Sequence, residues 1–257
     1  MNPRAKDFAS RGLYRLSNKV SYKRTVFLLG HMRCGSTALT NVLCANPHMR
    51  GYGECHVVYD QKFSSGRLAL NLIRNRINPF TGEYILDKIL HNELDQNAHD
   101  DFFDAKAIFL IRQPMDAVVS LINLSIHLNW KDYRTPEACL SYYVSRLNHL
   151  RALWPRFAKG SRNFIQYESL VNAPETQLEK LSKHLLDGLT LNNQYSQSNT
   201  HGHGKGDALN AHKYKSIAAI NKSKTSNALR EEVGRSPLLD EAEAIYQELV
   251  SGFCETC

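Results

Sequence analysis

Apolar residues along this chain fall into short unbroken runs and into stripes at helical spacing, and the alternation of the two predicts an α/β fold. The run Thr25-Val26-Phe27-Leu28-Leu29 is short, apolar and β-branched, as in a buried strand. Ala38-Leu39-Thr40-Asn41-Val42-Leu43 then carries apolar residues at helical spacing. The same order recurs at Ala105-Lys106-Ala107-Ile108-Phe109-Leu110-Ile111, an apolar strand followed by a helix start with Pro114 in its first turn. It recurs again at Phe164-Ile165-Gln166-Tyr167-Glu168-Ser169-Leu170-Val171, a strand leading into a helix. Gly66 to Asn78 and Glu83 to Ala98 read as helices separated by the break Asn78-Pro79-Phe80-Thr81-Gly82. Pro136 to Phe157 reads as a long helix whose Leu140, Tyr143, Val144, Leu147, Leu150 and Leu153 or Trp154 form an apolar stripe suited to packing. Asn192 to Asp207 is polar and glycine-rich, the composition of a mobile surface loop.

Between the first strand and its helix lies Gly30-His31-Met32-Arg33-Cys34-Gly35-Ser36-Thr37. It has the spacing of a phosphate-binding loop, but Ser36 stands where a nucleotide triphosphatase keeps lysine. Backbone N–H groups at the opening of such a helix are unpaired and carry the positive end of the dipole, so a phosphate there gains hydrogen bonds and field together. Ser36 and Thr37 add hydroxyls, and Arg33 is the only strong cation inside the loop. The alternative is an ordinary glycine-containing turn. Arg112 ends the second strand and Ser120 lies eight residues on, so both side chains reach one anion beside the strand's carboxyl end; a pairing of Arg112 with Asp116 is the alternative.

Three segments together resemble the PAPS-dependent sulfotransferases: the R-x-G-[ST]-T loop, the strand ending in R-x-P-x-D-x-x-x-S, and Tyr167-Glu168-Ser169-Leu170-Val171 followed by Asn172-Ala173-Pro174-Glu175. The resemblance covers about residues 24 to 187 and is nearer to the tyrosylprotein, carbohydrate and bacterial branches than to the cytosolic phenol and steroid branch. It implies a P-loop-like three-layer α/β fold with a central parallel sheet flanked by helices. The implied reaction carries a sulfuryl group from PAPS to a hydroxyl acceptor, a carbohydrate or glycolipid ahead of a peptide tyrosine or small metabolite, without a metal. Arg33, Cys34, Gly35, Ser36 and Thr37 would hold the 5′-phosphosulfate, Arg112 and Ser120 the 3′-phosphate, and Tyr167 would lie near the nucleotide. Among the late lysines, Lys215 and Lys222 would close on the 3′-phosphate, although the G-x-x-G-x-W-K ending of the cytosolic branch is missing.

Sulfuryl transfer needs a base for the acceptor proton and a cation for the charge that builds on the departing phosphate oxygen. Arg33 takes the second part. Glu54 takes the first, by resemblance of the stretch from Asn46-Pro47 to Glu54 to the H-P-x-x-x-x-x-x-E stretch of tyrosylprotein and some carbohydrate sulfotransferases. Desolvation would raise its proton affinity and Arg33 would oppose that. The alternative for Glu54 is a loop carboxylate paired with Arg50. His56, two residues on, is the competing base, and His127 a weaker one. The K-[ST]-H-x-P setting of the cytosolic branch is missing, so His91 and His99 carry no such signal.

A length of 257 residues with 42% hydrophobic content fits one sizeable core. Residues 1–257 are therefore expected to form a single domain, with 1–23 an N-terminal extension and 192–224 a mobile loop and late cofactor-closing segment. The net charge of +7 suits anionic ligands. The basic residues are spread along the chain without aromatic interleaving, which argues against a nucleic-acid module. His201 and His203 have no further ligand at metal spacing, and Cys254 with Cys257 forms a lone terminal C-x-x-C, read as an inert tail. Cys34, Cys44, Cys55 and Cys139 lack framework spacing and are expected as reduced thiols. The first 23 residues have no apolar core of a signal peptide, and no stretch nears the roughly 20 apolar residues of a membrane helix, so a cytoplasmic protein is expected. The expected partners are PAPS or PAP and a hydroxyl-bearing acceptor, with a homodimer left open. The competing functions are a P-loop nucleotide kinase and a non-catalytic nucleotide-binding protein on the same fold.

Overall fold

Every residue of the strand Thr25–Gly30, β1, is buried, as a parallel strand covered on both faces requires. In the computed structural model, which describes residues 3–195, 215–218 and 227–254, β1 is the middle strand of a five-stranded sheet. The others are β2 (Met49–Arg50), β3 (Tyr84–Ile89), β4 (Lys106–Ile111) and β5 (Arg162–Gln166), in the order β2-β3-β1-β4-β5 with all neighbours parallel. The described helices are α1 (Pro3–Leu16), α2 (Ser36–Ala45), α3 (Ser64–Arg74), α4 (Asn92–Asp95), α5 (Pro114–His127), α6 (Pro136–Leu153), α7 (Tyr167–Asn172), α8 (Pro174–Leu185), α9 (Asn227–Gly234) and α10 (Leu238–Cys254).

Strand alternation divides the core into two layers. Phe27, Leu29, Ile85, Ile89, Phe109 and Ile111 pack to one side with α3, α5, α6 and α10. Val26, Leu28, Leu86, Ile108, Leu110 and Ile165 pack to the other with α2, α7 and α8. The result is the expected α/β fold: a central parallel sheet between two helical layers. The apolar stripe of the long helix is buried as its spacing implies.

One element departs from its sequence pattern. Residues 83–98 form no continuous helix; they form β3 and then the single turn α4. Asp87 and Lys88 interrupt what would otherwise read as an apolar strand, and the remaining apolar positions mimic helical spacing. The strand forms because β3 pairs with β1 on one side and β2 on the other, and both polar side chains find partners within the fold. The N-terminal segment forms α1, tied to α3 by Arg67, whose guanidinium lies 3.2 Å from Asp7.

Candidate active site

In a parallel sheet the loops at the carboxyl ends of the strands gather in one place, and the 30–37 loop leaves β1 there. Gly35 caps α2 at φ 91°, a left-handed conformation that side chains rarely tolerate. A Cβ at Gly35 would also lie 2.5 Å from the Tyr167 ring, so glycine is required twice over. Ser36 and Thr37 open α2 directly after the Gly35 cap, whose carbonyl accepts the Ala38 and Leu39 amides. Cys34 turns its thiol into the second core layer, where burial pushes its pKa up, and gives its N–H to the His31 carbonyl. The cysteine side chain therefore packs the loop against the core.

Buried side chains hold this loop. His31 accepts the Arg112 N–H at Nε2, 3.1 Å away. That assigns its proton to Nδ1, which lies 2.8 Å from the Met32 carbonyl. Burial pushes its pKa down to about 3, so the ring stays neutral. Tyr142 accepts the Met32 N–H at 2.8 Å, and Tyr143 donates to the Arg112 carbonyl at 2.6 Å. Arg146 is fully buried and donates to Gly30 and Ile89, the last residues of β1 and β3, while forming two bonds to Asp95. Burial alone would raise the Asp95 pKa, but Arg146 and His149 outweigh it and hold the carboxylate ionised.

At the end of β4 the expected anion ligands converge. The Arg33 Nε donates to the Ser120 hydroxyl at 2.9 Å, and an Arg112 Nη donates to the Arg33 carbonyl at 3.2 Å. The Arg112 guanidinium lies 4.3 Å from the centre of the Tyr167 ring. Asp116 approaches Arg112 only to 3.8 Å and is bonded instead to Arg230 and Gln113. The Arg112 Nε is buried without a hydrogen-bond partner among the described residues. The two groups that the sequence assigns to separate phosphates are thus joined through Arg33 and Ser120.

Across the loop, at the end of β3, Glu54 pairs with Lys88 at 3.1 Å. The partner is neither Arg50 nor Arg33, the two cations its sequence context suggests. Burial pushes the Glu54 carboxyl up, but Lys88, helped by His56 and His91, more than offsets this and the net shift is downward. Lys88, 3% exposed, also lies 3.4 Å from the Thr37 hydroxyl, bridging the carboxylate and the phosphate-loop spacing. His56 is exposed at φ 49° and its charge is felt by Glu54. The sequence pattern does not point to Lys88 or His91, because both lie in the stretch that resembles a helix. A lysine inside a strand with both faces covered would have been the only signal.

Other expected residues lie elsewhere. His127 is exposed at the last position of α5, about 20 Å of helix from Pro114. The Lys215 side chain is exposed and its carbonyl accepts the Tyr195 N–H at 2.8 Å. Lys222, His201, His203 and Cys257 lie outside the described residues, as does most of the 192–224 segment. Among the described residues no group of three or more His, Cys, Asp or Glu is placed to hold a metal ion. No described helix is long and apolar enough to cross a membrane.

Comparison with known proteins gives a family match over part of the chain and a shared fold. Residues 81–192, which include Lys88, Arg112, Ser120 and Tyr167, match the model of the sulfotransferase family. No curated protein sequence matches the chain significantly. Among solved structures, the sulfotransferase domain of the Synechococcus PCC 7002 olefin synthase is similar at TM-score 0.56 and 17% identity, covering 87% of this chain and 94% of that one. The sulfotransferase domain from the curacin biosynthetic pathway is similar at TM-score 0.55 and 14% identity, covering 88% and 96%. A sulfotransferase from Alicyclobacillus acidocaldarius is similar at TM-score 0.53 and 14% identity, covering 88% and 95%. These structures share the fold, and the sulfotransferase family model matches the chain across the β3–β4 half of the site.

Proposed function

We propose that the chain transfers the sulfuryl group of PAPS to a hydroxyl acceptor, a carbohydrate or glycolipid, giving PAP and a sulfate ester. The observation that carries this is the convergence of Arg33, Arg112 and Ser120 beside the opening of α2, with the Arg112 Nε buried and without a hydrogen-bond partner among the described residues. PAPS bears two separated anionic groups on one adenosine, and a protein that selects it over ATP needs donors for each. Ser36, Thr37 and the first amides of α2 suit the 5′ group. Arg112 and Ser120 suit the 3′-phosphate, and Tyr167, already stacked with Arg112, suits the nucleotide.

For the transfer, Glu54 accepts the proton of the acceptor hydroxyl. A new sulfur–oxygen bond forms to that hydroxyl as the bond from sulfur to the 5′-phosphate oxygen breaks. Arg33 and Lys88 offset the charge that accumulates on the departing oxygen. Lys88 has a second effect, since its pairing keeps Glu54 ionised and ready to accept the proton. His56 is the competing base, near enough for its charge to act on Glu54. A nucleotide kinase lacks support, because Ser36 replaces the lysine that reaches a γ-phosphate.

Calorimetric titration with PAP, ATP and AMP, without magnesium, tests the proposal. Micromolar binding of PAP, roughly 100-fold tighter than AMP and weakened by Arg112→Ala, is the expected result. Equal affinity for PAP and AMP would overturn it.

A further inference from the structure

Asp87 precedes Lys88 in β3, and strand alternation sends its side chain to the opposite face of the sheet. There it is 1% exposed among apolar neighbours, on the face that carries Ile85 and Ile89. A residue needed only for packing would be apolar at this position, since a buried carboxylate is costly unless its hydrogen bonds are made. Those bonds go to one segment. Asp87 accepts the Cys55 N–H at 2.8 Å with one oxygen and the Tyr59 hydroxyl at 2.6 Å with the other. The Lys88 N–H donates to the Gly53 carbonyl at 3.2 Å, and the Asn71 amide donates to the Cys55 carbonyl at 2.8 Å. The residues on either side of Glu54 are therefore both bonded to β3. One strand presents the lysine and, through the adjacent residue, fixes the carboxylate that faces it.

We propose that Asp87 is a positioning residue that clamps the Cys55 amide and the Tyr59 hydroxyl and so holds Glu54 against Lys88. Its relevance to turnover rests on the assignment of Glu54 as the base. The clamp itself is a statement about geometry, and its readout needs no acceptor.

The test is carboxyl-carbon NMR titration of Glu54 in the full chain labelled at glutamate, with Glu54→Gln to identify the resonance. In the unmodified chain Glu54 titrates below the ordinary carboxylate range. Asp87→Ala releases the segment, and the Glu54 midpoint rises by about 0.5 unit or more as the Lys88 contact loosens. Loss of the Asp87 charge alone would move it the other way, so the sign separates release from simple electrostatics. Asp87→Asn can still accept the Cys55 N–H and meet Tyr59, and it leaves the midpoint at or below its original value. An unmoved or lowered midpoint in Asp87→Ala, or an equal rise in Asp87→Asn, overturns the inference. If Asp87→Ala does not fold, Tyr59→Phe replaces it, and an unmoved midpoint there overturns it in the same way. PAP affinity is measured on the same samples. Failure of the unmodified chain to bind PAP would sink the sulfotransferase function and leave the titration to decide the clamp separately.

Discussion

The Arg33 guanidinium donates to the Ser120 hydroxyl across 2.9 Å, joining the loop after β1 to the second turn of α5. A 3′-phosphate bound by Arg112 and Ser120 would share that hydroxyl with Arg33. Ser120→Ala is expected to weaken PAP binding about 10- to 100-fold, the worth of one hydrogen bond to a charged group, with little change in thermal stability. Calorimetry and a melting curve check both halves. Arg33→Ala combined with Ser120→Ala should lose less than the sum of the single losses, since the two side chains are direct partners.

Gly35 is held at φ 91° with the Tyr167 ring 2.5 Å from where a Cβ would stand. Gly35→Ala therefore meets two obstacles, the left-handed backbone and the ring. It is expected to lower stability by about 1–3 kcal/mol and to displace Tyr167 from Arg112, abolishing PAP binding. Tyr167→Ala in the same chain relieves only the steric part. Partial recovery of melting temperature in the double variant, measured by differential scanning calorimetry, is the expected outcome, and no recovery would show that the backbone conformation is the whole obstacle.

Burial is the largest influence on Glu54 and acts upward, while Lys88 reverses it. In Lys88→Met burial prevails, and the Glu54 pKa should rise above the ordinary carboxylate range. The acid limb of a pH profile of kcat/KM then moves to higher pH. Stability changes sign as well. In the unmodified chain the lowered pKa makes ionised Glu54 favourable above the unfolded pKa, and that contribution is lost as pH falls through the folded value. In Lys88→Met stability should instead decline as pH rises through the folded value. Thermal unfolding between about pH 3 and 8 follows it.

Burial raises the Asp87 pKa to about 6, against the hydrogen bonds from Tyr59 and Cys55 that lower it. A folded pKa above the unfolded one gives stability that is complete below the unfolded value and lost as pH rises through about 6. Asp87→Asn removes this dependence. The variant should be more stable than the unmodified chain by about 1–3 kcal/mol at pH 8, with the gain fading toward pH 4. Urea unfolding at the two pH values decides it. A gain that is the same at both would mean that folding does not raise the Asp87 pKa above its unfolded value.

Much of the site is legible because it is local. The residues from Gly30 to Thr37 sit between an apolar strand and an apolar-striped helix, and a phosphate-binding loop works through contiguous backbone. The same holds for Arg112 and Ser120, separated by two turns of α5. The carboxylate half is less legible. Glu54 has a recognisable context, but its partner Lys88 and its anchor Asp87 lie more than 30 residues further along the chain, in a strand whose polar pair imitates an amphipathic helix.

The chain by itself determined the alternation of strands and helices, the phosphate-loop spacing, the strand ending in Arg112 and the buried stripe of α6, since each depends on residues within a few turns of one another. Only the tertiary structure decided that 84–89 is a strand, that Glu54 faces Lys88, and that Arg33 reaches Ser120. The physical reason is that a buried charge is tolerable only beside its partner. For Asp87 and Lys88 that partner is supplied by the 53–59 segment, brought alongside β3 by the sheet and not by neighbouring sequence.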